Sequence, residues 1–112
     1  MKWGIVVVAG GLAEDKLAVA IGTARKALAV IEGKTCLRRV LEAVQGTRLE
    51  RVVVVSGSDV AGEVVYGRLI LEGKGQVDNA RLGLEAVGEV DAVLFLPADA
   101  PYLTPEVLTQ FM

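Results

Sequence analysis

Three short, continuously apolar runs constrain this chain more than any other feature: residues 5–8 (IVVV), 52–55 (VVVV) and 92–96 (AVLFL). None of them alternates between apolar and polar residues, as a strand with one solvent-facing side would. Uninterrupted runs of this length are typical of strands buried on both faces of a parallel sheet. Residues 69–71 (LIL), which lie between Gly67 and Gly73, form a weaker fourth candidate. The runs therefore predict a buried, mainly parallel sheet.

Helix-like segments lie between these runs. Apolar residues recur at helical spacing over residues 35–44 and again over residues 79–87, where Gly83 favours close packing. Thr104, followed by a proline, predicts the N-cap of a third helix. Because strands and helices alternate with short connections, we expect one α/β domain over residues 1–112.

The composition excludes several kinds of chemistry. The 112 residues include no histidine, which excludes imidazole acid–base catalysis and histidine-ligated zinc. The single cysteine, Cys36, excludes an internal disulfide. The net charge is −2, so we expect neither nucleic acid nor an anionic membrane as the main partner. No apolar run is long enough to cross a membrane and the first residues lack a signal-peptide pattern, so we expect a cytoplasmic protein.

The carboxyl ends of the strands are the places to search for a site, because ligands bind there in parallel sheets. The first strand runs into Ala9, Gly10 and Gly11. Two successive glycines let the backbone approach a ligand and offer amides to a phosphate. An ordinary strand–loop turn explains this pair equally well. The dinucleotide pattern G-x-G-x-x-G is absent, which disfavours a dinucleotide site.

Arg25 and Lys26 form a cationic pair further along the same connection. Adjacent cations suit a polyphosphate, although solvated surface charges are the commoner role of such a pair. Residues 33–35 (GKT) resemble the end of a P-loop, but Leu28 stands where that motif has its first glycine. We therefore expect a turn at Gly33 and a helix N-cap at Thr35.

Two further segments carry polar side chains that could contact a ligand. Asp99 follows the last apolar run between two prolines, where a carboxylate can hold Mg²⁺ against phosphates or simply shape a turn. Residues 73–79 (GKGQVDN) precede the second helix, so Asp78 or Asn79 is expected as an N-cap, as a ligand contact, or as both.

The order of these segments resembles the nucleotidyltransferase family with the nucleotide-diphospho-sugar transferase (GT-A) fold, which includes molybdenum cofactor guanylyltransferase-like enzymes. Residues 5–11 (IVVVAGG) match its first strand and A-G-G loop, and residues 51–55 (RVVVV) its second strand. Residues 26–34 (KALAVIEGK) are similar to the family's K-x-L-L-P-[IVL]-x-G-[KR] segment. Residues 77–84 (VDNARLGL) resemble its D-S-V-x-x-G-L element, and residues 96–103 (LPADAPYL) its metal-aspartate loop.

The resemblance implies a three-layer α/β/α fold with a mainly parallel sheet, of which this chain is the N-terminal half. It implies two catalytic residues, Lys26 on the phosphates and Asp99 on Mg²⁺. The implied nucleotide contacts are Ala9, Gly10, Gly11, Lys16, Arg25, Asp78 and Asn79.

The implied reaction is attack of a small phosphorylated acceptor on the α-phosphorus of an NTP, with release of pyrophosphate and with Mg²⁺ as cofactor. Such a transfer depends on positioning and on charge neutralisation, so it needs no histidine.

Departures from the family pattern leave a second interpretation open. The glycine loop lacks the arginine that the family usually has, and Lys16 lies one position beyond the place of that arginine. Glu14 and Asp15 add negative charge where the family binds phosphates. The connection to Lys26 is long, and we expect the family's acceptor-binding half to be missing. The alternative is a non-catalytic nucleotide-binding or scaffold domain of the same fold.

A flavodoxin-like or NAD-binding module has only the strand–helix pattern in its favour. Apolar surface left uncovered by a missing half predicts a homo-oligomer.

Overall fold

A computed structural model describes residues 1–11, 23, 25–99 and 103–112. Its strands are β1 (Trp3–Val8), β2 (Val30–Ile31), β3 (Lys34–Thr35), β4 (Arg51–Ser56), β5 (Arg68–Leu71) and β6 (Ala92–Pro97). Its helices are α1 (Cys36–Gly46), α2 (Gln76–Val87) and α3 (Pro105–Gln110), and two short 3₁₀ helices span Lys26–Leu28 and Ser58–Glu63.

Four of the strands form a parallel sheet in the order β5–β4–β1–β6. In its register, Ile5 lies between Val52 of β4 and Leu94 of β6. The three apolar runs and the weaker LIL run are therefore confirmed as strands of one parallel sheet. Because β1 lies between β4 and β6, the carboxyl ends of these three strands meet at one edge, which is where the site is to be sought.

Helices cover the sheet on both faces. Successive strand residues point to opposite sides, so Val7 packs in the core shared with α1 and α3, whereas Val6 packs in the core shared with α2. Leu41 of α1 and Leu108 of α3 are fully buried in the first core, and Val87 of α2 belongs to the second. These two cores confirm the three-layer α/β/α architecture.

Two helices begin at the predicted N-caps. The Thr35 hydroxyl accepts a hydrogen bond from the Arg38 N–H (3.1 Å) at the start of α1. The Thr104 hydroxyl accepts one from the Val107 N–H (3.2 Å) at the start of α3, where a proline follows the cap. In the part of the chain that the structure describes, no helix has the length and apolar character to cross a membrane.

Helix α2 begins three residues earlier than its apolar periodicity predicts. Its N-cap is Gly75, which has a φ of 131°, a conformation that favours glycine. Asp78 and Asn79 consequently lie inside the first turn. The prediction that one of them is the N-cap is wrong.

Candidate functional site

A cavity of about 400 Å³ opens at the carboxyl ends of β1 and β6. It lies where ligands bind in parallel sheets. The residues that line it come from both strand ends, from the 3₁₀ helix that begins at Lys26 and from the start of α2. They are Val8, Ala9, Gly11, Lys26, Ala27, Gln76, Phe95, Leu96, Pro97, Ala98 and Asp99.

The cavity brings together four of the residues that the sequence singled out. Ala9 and Gly11 line it from the glycine loop, which is the stretch of residues 9–11 after β1. Lys26 lines it from the first 3₁₀ helix, and Asp99 from the loop after β6. The predicted residues that the structure places outside the lining are Gly10, Arg25, Asp78 and Asn79. Lys16 lies outside the described residues.

Hydrogen bonds beyond the strand ends fix the wall of the cavity at Ala9. The Ala9 N–H donates to the Val55 carbonyl (2.9 Å), and the Ala98 N–H donates to the Val8 carbonyl (3.1 Å), so parallel pairing continues past β1 on both sides. The buried Ser56 hydroxyl donates to the Ala9 carbonyl (2.8 Å). Because both backbone groups of Ala9 are already bonded within the sheet, this residue shapes the wall of the cavity.

Lys26 reaches the cavity because its backbone is fastened to the glycine loop. Its N–H donates to the Gly11 carbonyl at 3.1 Å. A Cβ placed on Gly11 would meet Lys26 Cδ at 3.8 Å, an ordinary contact, so the lysine stem lies directly against this glycine. The ammonium is therefore carried on the same wall as Gly11.

Arg25 lies at the centre of an ion-pair cluster with Asp59 and Glu72. It is 9% exposed, its Nε and Nη2 donate to the two carboxylate oxygens of Asp59 (3.0 and 2.9 Å), and its Nη1 donates to Glu72 Oε2 (3.0 Å). Nη1 also donates to the Gly10 carbonyl (3.1 Å). The guanidinium thus joins the loops after β1, β4 and β5. Because it is directed at these acceptors and not into the cavity lining, a nucleotide contact by Arg25 has no geometrical support and stays a prediction.

The Arg25 ion pairs shift the titration of the groups that form them. The hydrogen bond from Arg25 lowers the pKa of Asp59, and the same bond, with Glu72 adding to it, raises the pKa of Arg25 against the effect of burial. Asp59 therefore stays ionised in the folded chain at pH values where an unpaired aspartate takes up a proton.

This shift makes part of the stability pH-dependent. Because Asp59 has a lower pKa in the folded than in the unfolded chain, its ion pair contributes fully above about pH 5 and is lost as the pH falls through the folded pKa. We expect the free energy of unfolding to fall less steeply with acid in Asp59→Asn than in the unchanged protein. Urea denaturation between pH 7 and pH 3 measures both slopes, with the exposed Glu89→Gln as control. Parallel curves for Asp59→Asn and the unchanged protein would contradict the assignment.

Asn79 and Asp78 hold the loop that precedes α2. The buried Asn79 accepts a hydrogen bond from the Gly73 N–H (2.7 Å) through Oδ1. Asp78 accepts one from the Lys74 N–H (3.0 Å) and pairs with Arg81 (2.6 Å), which lowers the pKa of its carboxyl. The structure thus shows loop-fixing bonds for both residues, and their contact with a nucleotide stays a prediction.

Seven lining residues were not predicted as site residues, and Gln76 and Phe95 are among them. Gln76 is the first residue of α2, and Phe95 is 41% exposed on β6. Sequence reasoning also missed Asp59 and Glu72, the partners of Arg25. A search for acidic residues just beyond β4 and β5, by the strand-end rule already applied, would have found this last pair.

The donor set near Asp99 limits what kind of metal site this chain can offer. Asp99 is exposed at the cavity, and the residues that the structure describes contain no group of three or more ligating side chains that could hold a metal ion. Mg²⁺ is usually held by one or two carboxylates together with phosphate oxygens and water. Asp99 therefore fits a metal ion shared with a bound phosphate group, and the described residues alone supply no cage of protein ligands around it.

Cys36 lies near the Asp99 carboxylate but stays a neutral thiol. Burial raises its pKa, and the charge of Asp99 raises it further. It is thus protonated at neutral pH.

The family follows from a comparison with known families. The family model described as the MobA-like NTP transferase domain matches residues 5–112. The chain belongs to this family. The match confirms the resemblance seen in the sequence, and the MobA-like domain is a nucleotidyltransferase-like domain. No match is found among the curated proteins.

Solved structures agree on the fold of the MobA-like domain. A hypothetical transferase from Thermus thermophilus is 28% identical, with a TM-score of 0.78 over 97% of this chain and 45% of that one. A nucleotidyl transferase from Methanothermobacter thermautotrophicus is 21% identical, with a TM-score of 0.80 over 97% and 56%. A Mycobacterium tuberculosis protein in complex with manganese is 17% identical, with a TM-score of 0.74 over 99% and 58%. The chain thus spans about half the length of these structures.

Proposed function

We propose that the cavity at the ends of β1 and β6 binds an NTP together with Mg²⁺. We further propose that the NMP group is transferred to a small phosphorylated acceptor, with release of pyrophosphate, in the cytoplasm. The observation that carries the proposal is that Ala9, Gly11, Lys26 and Asp99 line one cavity at the carboxyl ends of two adjacent parallel strands. Membership of the MobA-like family supports an NTP as the substrate.

The charges around the cavity support a role for a divalent cation. Lys26 is the cationic side chain and Asp99 the anionic one among the described lining residues, so their charges cancel. A triphosphate carries several negative charges, and one ammonium neutralises only part of them. A divalent ion held by Asp99 would supply the missing positive charge. The manganese complex of the Mycobacterium tuberculosis protein, which has the same fold, is consistent with this.

The proposed mechanism gives each wall of the cavity one task. Gly11 and the wall at Ala9 orient the nucleotide, and the Lys26 ammonium donates to phosphate oxygens and stabilises the charge that develops on the leaving pyrophosphate. Asp99 would hold Mg²⁺, which would supply further neutralisation of phosphate charge. An acceptor phosphate oxygen forms the new bond to the α-phosphorus while the bond to pyrophosphate breaks. Since the attacking phosphate is already ionised, the chain needs no general base.

Isothermal titration with each of the four NTPs, with Mg²⁺ and with EDTA, tests the binding step. We expect at least one NTP to bind with Mg²⁺, and Asp99→Asn to weaken that binding by about tenfold or more, because it removes a charged ligand. The same substitution should change little in EDTA. Glu89→Gln is the control, because Glu89 is an exposed acidic residue outside the cavity lining. If no NTP binds, or if Asp99→Asn binds as the unchanged protein does, the proposal fails.

A non-catalytic nucleotide-binding or scaffold domain is the second candidate. The acidic pair Glu14–Asp15 and the missing arginine of the glycine loop favour it. Pyrophosphate release from an NTP, in the presence of a panel of sugar phosphates, separates the two candidates. Release establishes the transferase, whereas NTP binding without release establishes the scaffold.

Exposed apolar residues support the proposal that the chain self-associates. Val77 and Leu84, seven residues apart on α2, are 87% and 46% exposed, and Phe95 is 41% exposed on β6, at the edge of the sheet. We expect sedimentation velocity to show a dimer or larger species at micromolar concentrations, and Phe95→Lys to shift it towards monomer. A single monomeric species for the unchanged protein would contradict the proposal.

A further inference from the structure

We infer that Arg25 is a positioning residue for the proposed nucleotide site, because its ion pairs with Asp59 and Glu72 fix the glycine loop and the segment that carries Lys26. The inference rests on the proposed function, since it explains how the cavity is kept in a shape that accepts a triphosphate. It assigns Arg25 an action through Lys26, not a contact with the ligand.

Two hydrogen bonds join residues 25–26 to residues 10–11. Arg25 Nη1 donates to the Gly10 carbonyl, and the Lys26 N–H donates to the Gly11 carbonyl, each at 3.1 Å. Gly11 and Lys26 both line the cavity, whereas Arg25 does not. A displacement of the Arg25 guanidinium would therefore move both of these lining residues at once.

Two glycines leave room for the Arg25 cluster. A Cβ placed on Gly57 would lie 2.5 Å from Arg25 Nη2 and 2.5 Å from Asp59 Oδ1. A Cβ placed on Gly10 would lie 2.8 Å from Glu72 Oε2. Backbone without side chains thus packs against the ion pairs on both sides, which ties the position of the glycine loop to that of the guanidinium.

The geometry of the cluster requires an arginine. Its planar fork bonds both oxygens of Asp59 through Nε and Nη2 while Nη1 reaches Glu72 and Gly10. A lysine ammonium is a point charge and cannot span these acceptors together. The Asp59 and Glu72 side chains are 49% and 31% exposed, so they can rehydrate when the fork is lost. Arg25→Lys should therefore fold, with the loop less firmly held.

Two variants and a matched control test the inference. Arg25→Lys removes the fork, and Asp59→Asn removes one charge partner. As a control, Arg38→Lys removes a guanidinium whose Nε and Nη2 both donate to one oxygen of Glu63, outside the cavity lining. The first readout is amide hydrogen exchange at Lys26 in the free protein, with Val53 of the central sheet as reference. The second is the affinity for inorganic triphosphate with Mg²⁺, the group that all four NTPs share.

Exchange at Val53 reports any loss of global stability. We expect the ratio of exchange at Lys26 to exchange at Val53 to rise about tenfold or more in Arg25→Lys and Asp59→Asn. We expect triphosphate affinity to fall about tenfold in the same two variants and to stay unchanged in Arg38→Lys. An unchanged ratio overturns the inference, as does a higher ratio with undiminished affinity. Failure of the unchanged protein to bind triphosphate overturns the proposed function and the inference together, a result distinct from a defect confined to the variants.

Discussion

Replacing Lys26 by methionine should lower the affinity for an NTP with Mg²⁺ by about tenfold to a hundredfold and leave the fold intact. Methionine keeps an unbranched apolar stem against Gly11 but loses the ammonium that faces the cavity. A hydrogen bond to a charged group contributes about 1.5–3 kcal/mol, and about 1.4 kcal/mol corresponds to a tenfold change in affinity. Isothermal titration measures the change.

The matched control for Lys26→Met is Lys2→Met. Lys2 is exposed and lies next to the amino end of β1, at the opposite edge of the sheet. Its substitution should leave NTP affinity unchanged. Equal affinity for Lys26→Met and the unchanged protein would show that the phosphates are bound elsewhere, and would remove the main cationic group from the proposed mechanism.

Gly83→Val should destabilise the fold more than any other substitution considered. Gly83 lies in the buried face of α2, and a Cβ there would come within 2.5 Å of Val6 Cγ1 and 3.4 Å of Val55 Cγ2. Helix α2 would have to move off the sheet to admit a valine. Overpacking of this kind costs about 1–3 kcal/mol, and the two added methyl groups place this site at the upper end, about 3 kcal/mol.

Urea denaturation of Gly83→Val beside Gly62→Val measures this cost. Gly62 is exposed, and a Cβ on it would meet nothing within 4 Å, so its substitution adds the same side chain without a clash. We expect the loss in free energy of unfolding to appear only at Gly83. Equal stability of the two variants would contradict the close contact between α2 and the β1–β4 pair.

The elements that the sequence predicted are those whose signals are local. The continuous apolar runs predicted β1, β4 and β6, and the threonine caps predicted the starts of α1 and α3. The predicted turn at Gly33 is confirmed, but strands β2 and β3 on either side of it were missed because each has only two residues. The turn has positive φ at both Glu32 (52°) and Gly33 (86°), and the sequence Glu-Gly is not one of the usual signals for such a turn.

The site could be predicted in part for a similar reason. Lys26 and Asp99 line one cavity, as the strand-end rule and the family resemblance led us to expect, and their roles in binding and catalysis stay predictions. The strand-end rule could have marked Asp59 and Glu72 as candidates, but their pairing with Arg25 could not be predicted, because they are 34 and 47 residues away from it along the chain. Only the folded sheet shows that these loops are adjacent and that the guanidinium is held by carboxylates.

The most direct test of a nucleotide site at the carboxyl ends of β1 and β6 is to map the binding of an NTP with Mg²⁺ by chemical-shift changes in amide NMR spectra. The account predicts that the largest changes fall on Ala9, Gly11, Lys26 and Asp99, and that Asp91, at the opposite edge beside Lys2, does not change. Changes centred on Asp91, or an absence of changes with all four NTPs, would contradict it.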